Sequence, residues 1–162
     1  MKKMILMLLI AAFISLPLLA QEAAQKVYDT ERNQLEQIDQ AVAKAQSEGK
    51  YVICQLGGNW CPWCLRFAKF ITEDEEIRQL IAENFVYEHV NFTSKQDERS
   101  MQASRRLSNA SRFGFPVFVV LNADGSVMHI QNSSYLEEGN GYNRERVLEF
   151  FRQWTPAAVR GE

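Results

Sequence analysis

The sequence predicts an α/β fold in which a central mixed sheet is flanked by helices, with an additional helix before the first strand. Helical and strand-like patterns alternate along the chain, and two later strand-like runs are separated by a four-residue turn. The 162 residues, 46% hydrophobic and 23% charged, suffice for a single core. We therefore expect one domain over residues 31–156 and a short tail over residues 157–162.

Residues 1–20 have the layout of a secretory signal peptide. Two lysines precede an apolar run, and Ala20 is a small residue suited to cleavage. We expect the mature chain to begin at Gln21 with a polar tail over residues 21–30, in the periplasm or another extracytoplasmic space. An uncleaved membrane anchor is the alternative, but the apolar run is short for a span, which needs about 20 apolar residues.

The first helix is predicted over residues 31–48, and Gly49 is suited to end it. Its apolar positions recur at spacings of three and four, which places them on one helical face: Leu35, Ile38, Val42 and Ala45. Residues 51–56 (YVICQL) are mostly apolar and include β-branched side chains, as is typical of a strand buried on both faces.

The middle of the chain continues the alternation. The pattern predicts a helix from Pro62 through Phe70, a second helix over 72–84, a strand over 85–92 and a polar helix over 97–107. The acidic run at 73–76 favours the amino-terminal end of a helix, and we expect it to be solvated.

Two strands over 116–121 and 126–130 are predicted to form a hairpin across the Asn-Ala-Asp-Gly turn between them. A last helix is indicated by its apolar positions: Val147, Phe150, Phe151 and Trp154. The early alternation predicts parallel strands joined by right-handed crossovers, with the hairpin as an antiparallel edge.

The composition excludes several classes of function. A net charge of −2 without a basic run makes nucleic acid an unsuitable partner. Three cysteines are too few for a disulfide-stapled small domain. His89 and His129 lie on separate predicted strands, so we expect structural roles for them and no metal site.

Cys61 and Cys64 lie where a buried strand turns into a helix, and this placement predicts redox chemistry. Backbone N–H groups and the helix dipole at a helix start stabilise a thiolate, which would make Cys61 the exposed nucleophile. Cys64, one turn later, would be the buried partner that resolves a mixed disulfide. Trp60 and Trp63 would offer apolar surface to a substrate chain.

The Trp-Cys-Pro-Trp-Cys motif, together with Gly-Phe-Pro at 114–116 and the hairpin after it, resembles the thioredoxin family. The likeness is greatest to secreted bacterial thioredoxin-like proteins with a Trp-Cys-x-x-Cys site. The resemblance implies a thioredoxin fold, thiol–disulfide oxidoreductase activity on protein disulfides or thiols, and catalysis by Cys61 and Cys64. It also implies a cis peptide bond before Pro116, which would bind substrate beside the sulfurs; for Phe115, substrate contact and core packing are both open.

The direction of catalysis follows from the two residues between the cysteines. A strongly oxidising site needs extra stabilisation of the reduced thiolate, often from a cation or histidine between the cysteines, and Pro62 and Trp63 provide neither. We therefore expect a reductase-side protein with a potential nearer about −270 mV than about −120 mV. In an oxidising compartment such a protein needs recharging, which implies a membrane-bound electron donor. No organic cofactor is implied, because the dithiol carries the electrons.

The sequence departs from the family at the position six residues before the first cysteine. The family often has a buried acidic residue there, which helps proton transfer to the second cysteine. Gln55 occupies that position, so proton handling at Cys64 is expected to use water or Glu88, or to be slower. The segment 92–112 is also longer than in a minimal thioredoxin. Cys54, inside an apolar strand, is expected to be a buried hydrophobe.

Three alternatives stay open for the Cys61–Cys64 pair. The pair could be a static disulfide, or half of a zinc site. The chain could also be a thioredoxin-fold adaptor or copper carrier without turnover, because a soft metal suits two thiolates.

Overall fold

The computed structural model describes residues 26–162, so the predicted signal peptide and its cleavage site lie outside the described residues. Its helices and strands are, in order, α1 (Gln34–Glu48), β1 (Tyr51–Gly57), α2 (Pro62–Glu73), α3 (Glu75–Asn84), β2 (Phe85–Asn91), α4 (Glu98–Arg106), β3 (Val117–Leu121), β4 (Val127–Asn132), β5 (Glu137–Glu138), β6 (Gly141–Tyr142), α5 (Arg144–Gln153) and α6 (Pro156–Arg160). Short 3-10 turns precede β3 and follow β4.

The predicted elements up to the hairpin are present, with shifted ends. α1 begins three residues later than expected, because the Asn33 side chain caps it by accepting hydrogen bonds from the Leu35 and Glu36 N–H groups. It ends as predicted at Gly49, whose backbone is left-handed. Asp74 ends α2 and caps α3 through the Ile77 N–H, which explains why the acidic run begins a helix.

The four strands form a mixed sheet in the order β2-β1-β3-β4. β1 and β2 are parallel, and β3 and β4 form the predicted hairpin. The expectation of a further parallel crossover is wrong, because β3 runs antiparallel to β1. The chain enters β3 at the end where β1 leaves the sheet, with Val117 opposite Leu56, and this brings Pro116 to the carboxyl end of β1.

A two-stranded ribbon and a short helix were not predicted. β5 and β6 are two-residue strands that form a small ribbon before α5. α6, capped by Thr155 and started by Pro156, occupies part of the segment expected to be a carboxy-terminal tail. Both are shorter than the window over which a periodic pattern is visible.

The core has one layer on each face of the sheet. Cys54, Leu56 and their neighbours pack against α1 and α4, whereas Ile53 and Phe118 pack against α2, α3 and α5. Because successive strand residues face opposite sides, β1 directs Cys54 and Gln55 into different layers. No helix within residues 26–162 has the length and apolar content needed to cross a bilayer.

Candidate active site

Cys61 and Cys64 form a disulfide at the start of α2, where the sequence placed them. Cys61 is the N-cap residue, and its sulfur accepts a hydrogen bond from the Cys64 backbone N–H at 3.2 Å. Pro62 holds the first helical position, where a missing N–H costs nothing. The helix start therefore directs a backbone donor and its positive dipole end at the Cys61 sulfur.

The two cysteines differ less in exposure than expected. Cys61 retains 4% of its accessible surface and Cys64 retains none, so the expectation that Cys61 is an exposed residue is wrong. Both cysteines belong to a buried cluster with Tyr28, against which the apolar side chains of Val27, Leu65 and Phe115 pack. Cys61 is nevertheless the more exposed of the two cysteines, as predicted, because solvent still reaches it and does not reach Cys64.

Aromatic side chains form one side of the opening to the disulfide. Trp60 is 54% exposed, and its indole N–H donates to the Phe92 carbonyl at 2.7 Å, which fixes the ring. The Trp60 ring meets Phe115 edge-on at 5.4 Å, and Phe115 packs on Phe92 at 4.7 Å. The Phe115–Pro116 peptide bond is cis, as the resemblance implied. Phe115 thus combines core packing with a place beside the sulfurs.

Trp63 contacts the cysteine pair and extends toward the small ribbon. Its ring meets Tyr142 edge-on at 5.5 Å, and its carbonyl accepts the Tyr142 hydroxyl at 3.0 Å. The Arg66 guanidinium lies over the Trp63 ring, 4.6 Å from its centroid. Trp63 is therefore held by neighbours that belong to both α2 and β6.

Beneath Cys64 lies a buried polar group that replaces the family's acid. Gln55 is fully buried, and its amide nitrogen donates to the Cys64 carbonyl at 3.1 Å and to the Tyr28 hydroxyl at 2.6 Å. The Gln55 amide oxygen accepts the Tyr87 hydroxyl at 2.6 Å. A neutral amide at this position is thus satisfied on both ends and fixed to the backbone of Cys64.

Tyr28 is the site residue that sequence reasoning missed, because it was assigned to the polar tail. It is fully buried and belongs to the same cluster as both cysteines. Asn59, in the turn before Trp60, accepts from the Val27 and Tyr28 N–H groups at 3.1 and 3.0 Å and donates to the Tyr28 carbonyl at 2.8 Å. One aromatic residue in a polar segment carries no period, so the pattern gave no signal for this contact.

Glu88 does not serve Cys64, which corrects the expectation that it could handle the proton there. It lies opposite Cys54 in the β1–β2 register, on the face that packs against α1. Its carboxylate accepts the Gln37 amide at 2.7 Å and lies 3.8 Å from the Arg32 guanidinium. The sheet therefore separates Glu88 from the disulfide.

The groups around Gln55 are uncharged near neutral pH. Burial raises the pKa of Tyr28 and of Tyr87 above the ordinary value for tyrosine. Burial lowers the pKa of His89 to about 4, and its ring meets each tyrosine edge-on at 5.3 Å. The His89 Nε2 atom is buried and has no hydrogen-bond partner among the described residues.

Cys54 and the remaining candidate ligands lie apart from the disulfide. Burial raises the pKa of the Cys54 thiol to about 12, which keeps it protonated. His129 stacks on Trp154 at 4.6 Å, on the far strand of the hairpin. In the part of the chain that the structure describes, no three His, Cys, Asp or Glu side chains gather as a metal ion would need.

A family model described as thioredoxin-like matches residues 33–123. Among solved structures, a disulphide isomerase from Xylella fastidiosa Temecula1 is similar with a TM-score of 0.68 and 23% identity, over 78% of this chain and 94% of that chain. A thioredoxin from Thermus thermophilus is similar with a TM-score of 0.53 and 22% identity, over 76% of this chain and 88% of that chain. A comparison with curated protein sequences finds no match.

The chain belongs to the thioredoxin-like family, because the family model covers more than half of it. The fold and the resemblance predicted from the sequence are confirmed. The Cys61–Cys64 pair at the start of α2 supplies the couple that thiol–disulfide exchange requires, and the predicted enzyme class, thiol–disulfide oxidoreductase, is confirmed.

Proposed function

We propose that the chain is an extracytoplasmic thiol–disulfide oxidoreductase that works on the reducing side, with Cys61 as nucleophile and Cys64 as resolving cysteine. The position of Cys61 as the N-cap of α2 carries the proposal, since the Cys64 N–H faces its sulfur at 3.2 Å. The residues between the cysteines, Pro62 and Trp63, have no charged side chain. The helix start alone therefore stabilises the Cys61 thiolate, so its pKa is lowered only moderately, which favours a reducing rather than a strongly oxidising potential.

The proposed reaction moves two electrons from the dithiol to a substrate disulfide. The Cys61 thiolate attacks one substrate sulfur, the substrate S–S bond breaks, and the second substrate sulfur leaves as a thiolate that takes a proton from water. Cys64 then loses its proton and attacks the Cys61 sulfur. The mixed disulfide breaks, the first substrate sulfur leaves as a thiolate, and the Cys61–Cys64 bond forms.

The substrate is proposed to lie along the aromatic side of the disulfide. Trp60 and Phe115 present apolar surface there, and the buried Pro116 directly precedes β3 at the carboxyl end of β1. Trp63 would bound the opening on the α2 side. An extended protein segment carrying a disulfide or a thiol suits such a surface, since about half of the Trp60 side chain is exposed and can pack against it.

The location is proposed from the leader at residues 1–20, and it requires a membrane-bound electron donor to return Cys61 and Cys64 to the dithiol. Mass spectrometry of the exported protein tests the leader. The expected amino terminus is Gln21. A chain that still begins at Met1 would instead support a membrane anchor.

Turnover is tested by insulin reduction in the presence of dithiothreitol. The wild-type chain is expected to accelerate precipitation of the insulin chains, and Cys61→Ser is expected to abolish the acceleration. Cys54→Ala is the matched control, because it removes a thiol that is buried away from the disulfide. Stoichiometric retention of Cu(I) by the reduced chain without insulin reduction would contradict the proposal and support a copper carrier.

A further inference from the structure

The Tyr28 hydroxyl, which comes from outside the predicted domain, borders the same space beside Gly57 as the Cys64 sulfur. A Cβ placed on Gly57 would stand 2.5 Å from the Cys64 sulfur and 2.7 Å from the Tyr28 hydroxyl oxygen. Only a glycine leaves room there, so the end of β1 permits both atoms to approach the same point. Tyr28, Cys61 and Cys64 form one buried cluster, and neither Tyr28 nor Cys64 has surface exposed to solvent.

The direction of the hydrogen bonds around Gln55 is fixed by a backbone group. The Cys64 carbonyl can only accept, so the end of the Gln55 amide that lies 3.1 Å from it must be the NH₂ group. The same NH₂ group lies 2.6 Å from the Tyr28 oxygen, which therefore accepts. The other end of the amide is the oxygen, and it accepts from Tyr87.

The Tyr28 hydroxyl hydrogen is consequently free to point away from Gln55. Among residues 26–162 no nitrogen or oxygen accepts it. The polarisable group that shares its surroundings is the Cys64 sulfur. A thiolate accepts hydrogen bonds far better than a disulfide sulfur does, so a hydrogen bond from Tyr28 is favoured once Cys64 is reduced and loses its proton.

We propose that the Tyr28 hydroxyl donates a hydrogen bond to the Cys64 thiolate, at the end of a directed chain that runs from Tyr87 through Gln55. The inference rests on the proposed roles of Cys61 and Cys64 and holds for either direction of catalysis. In the resolving step the Cys64 proton leaves to solvent and Tyr28 keeps its own proton. The Cys64 sulfur bonds to the Cys61 sulfur, the bond between Cys61 and the substrate sulfur breaks, and the substrate leaves as a thiolate. A neutral donor thus takes the place of the family's acid.

The direct test is the titration of Cys64 as the lone cysteine of a Cys54→Ala/Cys61→Ser chain. The ¹³Cβ chemical shift of that cysteine reports thiol and thiolate without any reagent having to reach it. The other titratable groups packed around it are Tyr28, Tyr87, Tyr142 and His89. Burial raises the pKa of all three tyrosines and lowers the pKa of His89 to about 4, so none of them changes charge between pH 6 and 9.

Tyr28→Phe is expected to make Cys64 about tenfold weaker as an acid, the effect of losing one hydrogen bond to a charged sulfur. Tyr87→Phe is the matched control, because it removes a hydroxyl of the same size that donates to Gln55 rather than to sulfur. Its effect on the Cys64 pKa is expected to be clearly smaller. Equal shifts from the two substitutions, or no shift from Tyr28→Phe, would overturn the inference.

Asn59→Ala supplies a second variant, because it keeps the Tyr28 hydroxyl but removes the side chain that holds residues 27 and 28. Like Tyr28→Phe, it is expected to raise the Cys64 pKa. In the chain with both active-site cysteines, Tyr28→Phe is expected to slow the resolving step about tenfold while leaving the attack of Cys61 on glutathione disulfide unchanged. An unchanged resolving rate would contradict the inference. If the wild-type chain fails to reduce insulin but Tyr28→Phe still raises the Cys64 pKa, only the proposed function is contradicted.

Discussion

Cys54 and Cys64 are both fully buried, yet their surroundings give them opposite chemistry. Cys54 lies among aliphatic side chains between β1 and α1, and burial raises its pKa to about 12. Cys64 lies one turn into α2, bonded to Cys61 and next to the polar group around Gln55. Burial alone makes a thiol inert, and burial beside a partner sulfur and hydrogen-bond donors makes it a redox partner.

The largest expected effect comes from exchanging serine for one cysteine at a time. Cys64→Ser should abolish turnover and accumulate mixed disulfides on Cys61, because nothing then resolves them. Cys61→Ser should abolish turnover without trapping any client, and Cys54→Ser should trap none. Non-reducing gels and mass spectrometry of the captured species measure this. Equal trapping by Cys61→Ser and Cys64→Ser would contradict the assigned roles.

Gln55→Leu is expected to have the next largest effect, on stability. It leaves the Tyr28 and Tyr87 hydroxyls and the Cys64 carbonyl without the amide that pairs them. The expected loss in the free energy of unfolding is about 3 kcal/mol, because each buried polar group left unpaired costs roughly 1–3 kcal/mol. Urea denaturation of the oxidised protein measures it. On the opposite face of β1, Cys54→Val should cost clearly less, and an equal loss would show that the two faces do not differ.

Cys54→Ala should lower the free energy of unfolding by only about 1 kcal/mol, the effect of a small cavity in an apolar layer. Its rate of insulin reduction should equal that of the wild-type chain, because the sheet separates Cys54 from the disulfide. A folded Cys54→Ala protein that has lost redox activity would reveal a relay of three cysteines.

The smallest effect is confined to alkaline pH. The folded state holds Cys54 protonated, with its pKa raised by burial to about 12 from an ordinary value of 9.0. The stability that this provides is complete below about pH 9 and is lost as the pH rises toward 12, since only the unfolded chain ionises there. The free energy of unfolding should therefore fall more steeply over that window in the wild-type chain than in Cys54→Ala. If the free energy of unfolding falls equally with pH in the two chains, the raised pKa of Cys54 is contradicted.

The sequence was sufficient wherever a local pattern encoded the structure. The position of Cys61 at a strand-to-helix turn, the hairpin across residues 122–125 and the apolar surroundings of Cys54 follow from periodicity and turn chemistry. The direction of β3 was not predictable in this way, because it depends on where the connection from β2 returns to the sheet.

Tyr28 escaped prediction for a related reason. Its burial depends on Asn59, 31 positions along the chain, and neither residue belongs to a periodic segment. The buried cluster that contains Cys61 likewise draws on separate segments of the chain, since Val27 and Phe115 both pack against it. The burial of Tyr28 and Cys61 therefore depends on long-range contacts between irregular segments, which the periodicity of the sequence does not reveal.

The reduction potential of the Cys61–Cys64 couple tests the central claim most directly. Equilibration of the purified protein with glutathione buffers of known composition, followed by counting of free thiols, gives the potential from the midpoint. With Pro62 and Trp63 between the cysteines and only the helix start to stabilise the Cys61 thiolate, the potential should lie near the reducing limit of about −270 mV. A potential near the oxidising limit of about −120 mV would contradict the reductase assignment and make the protein a disulfide donor.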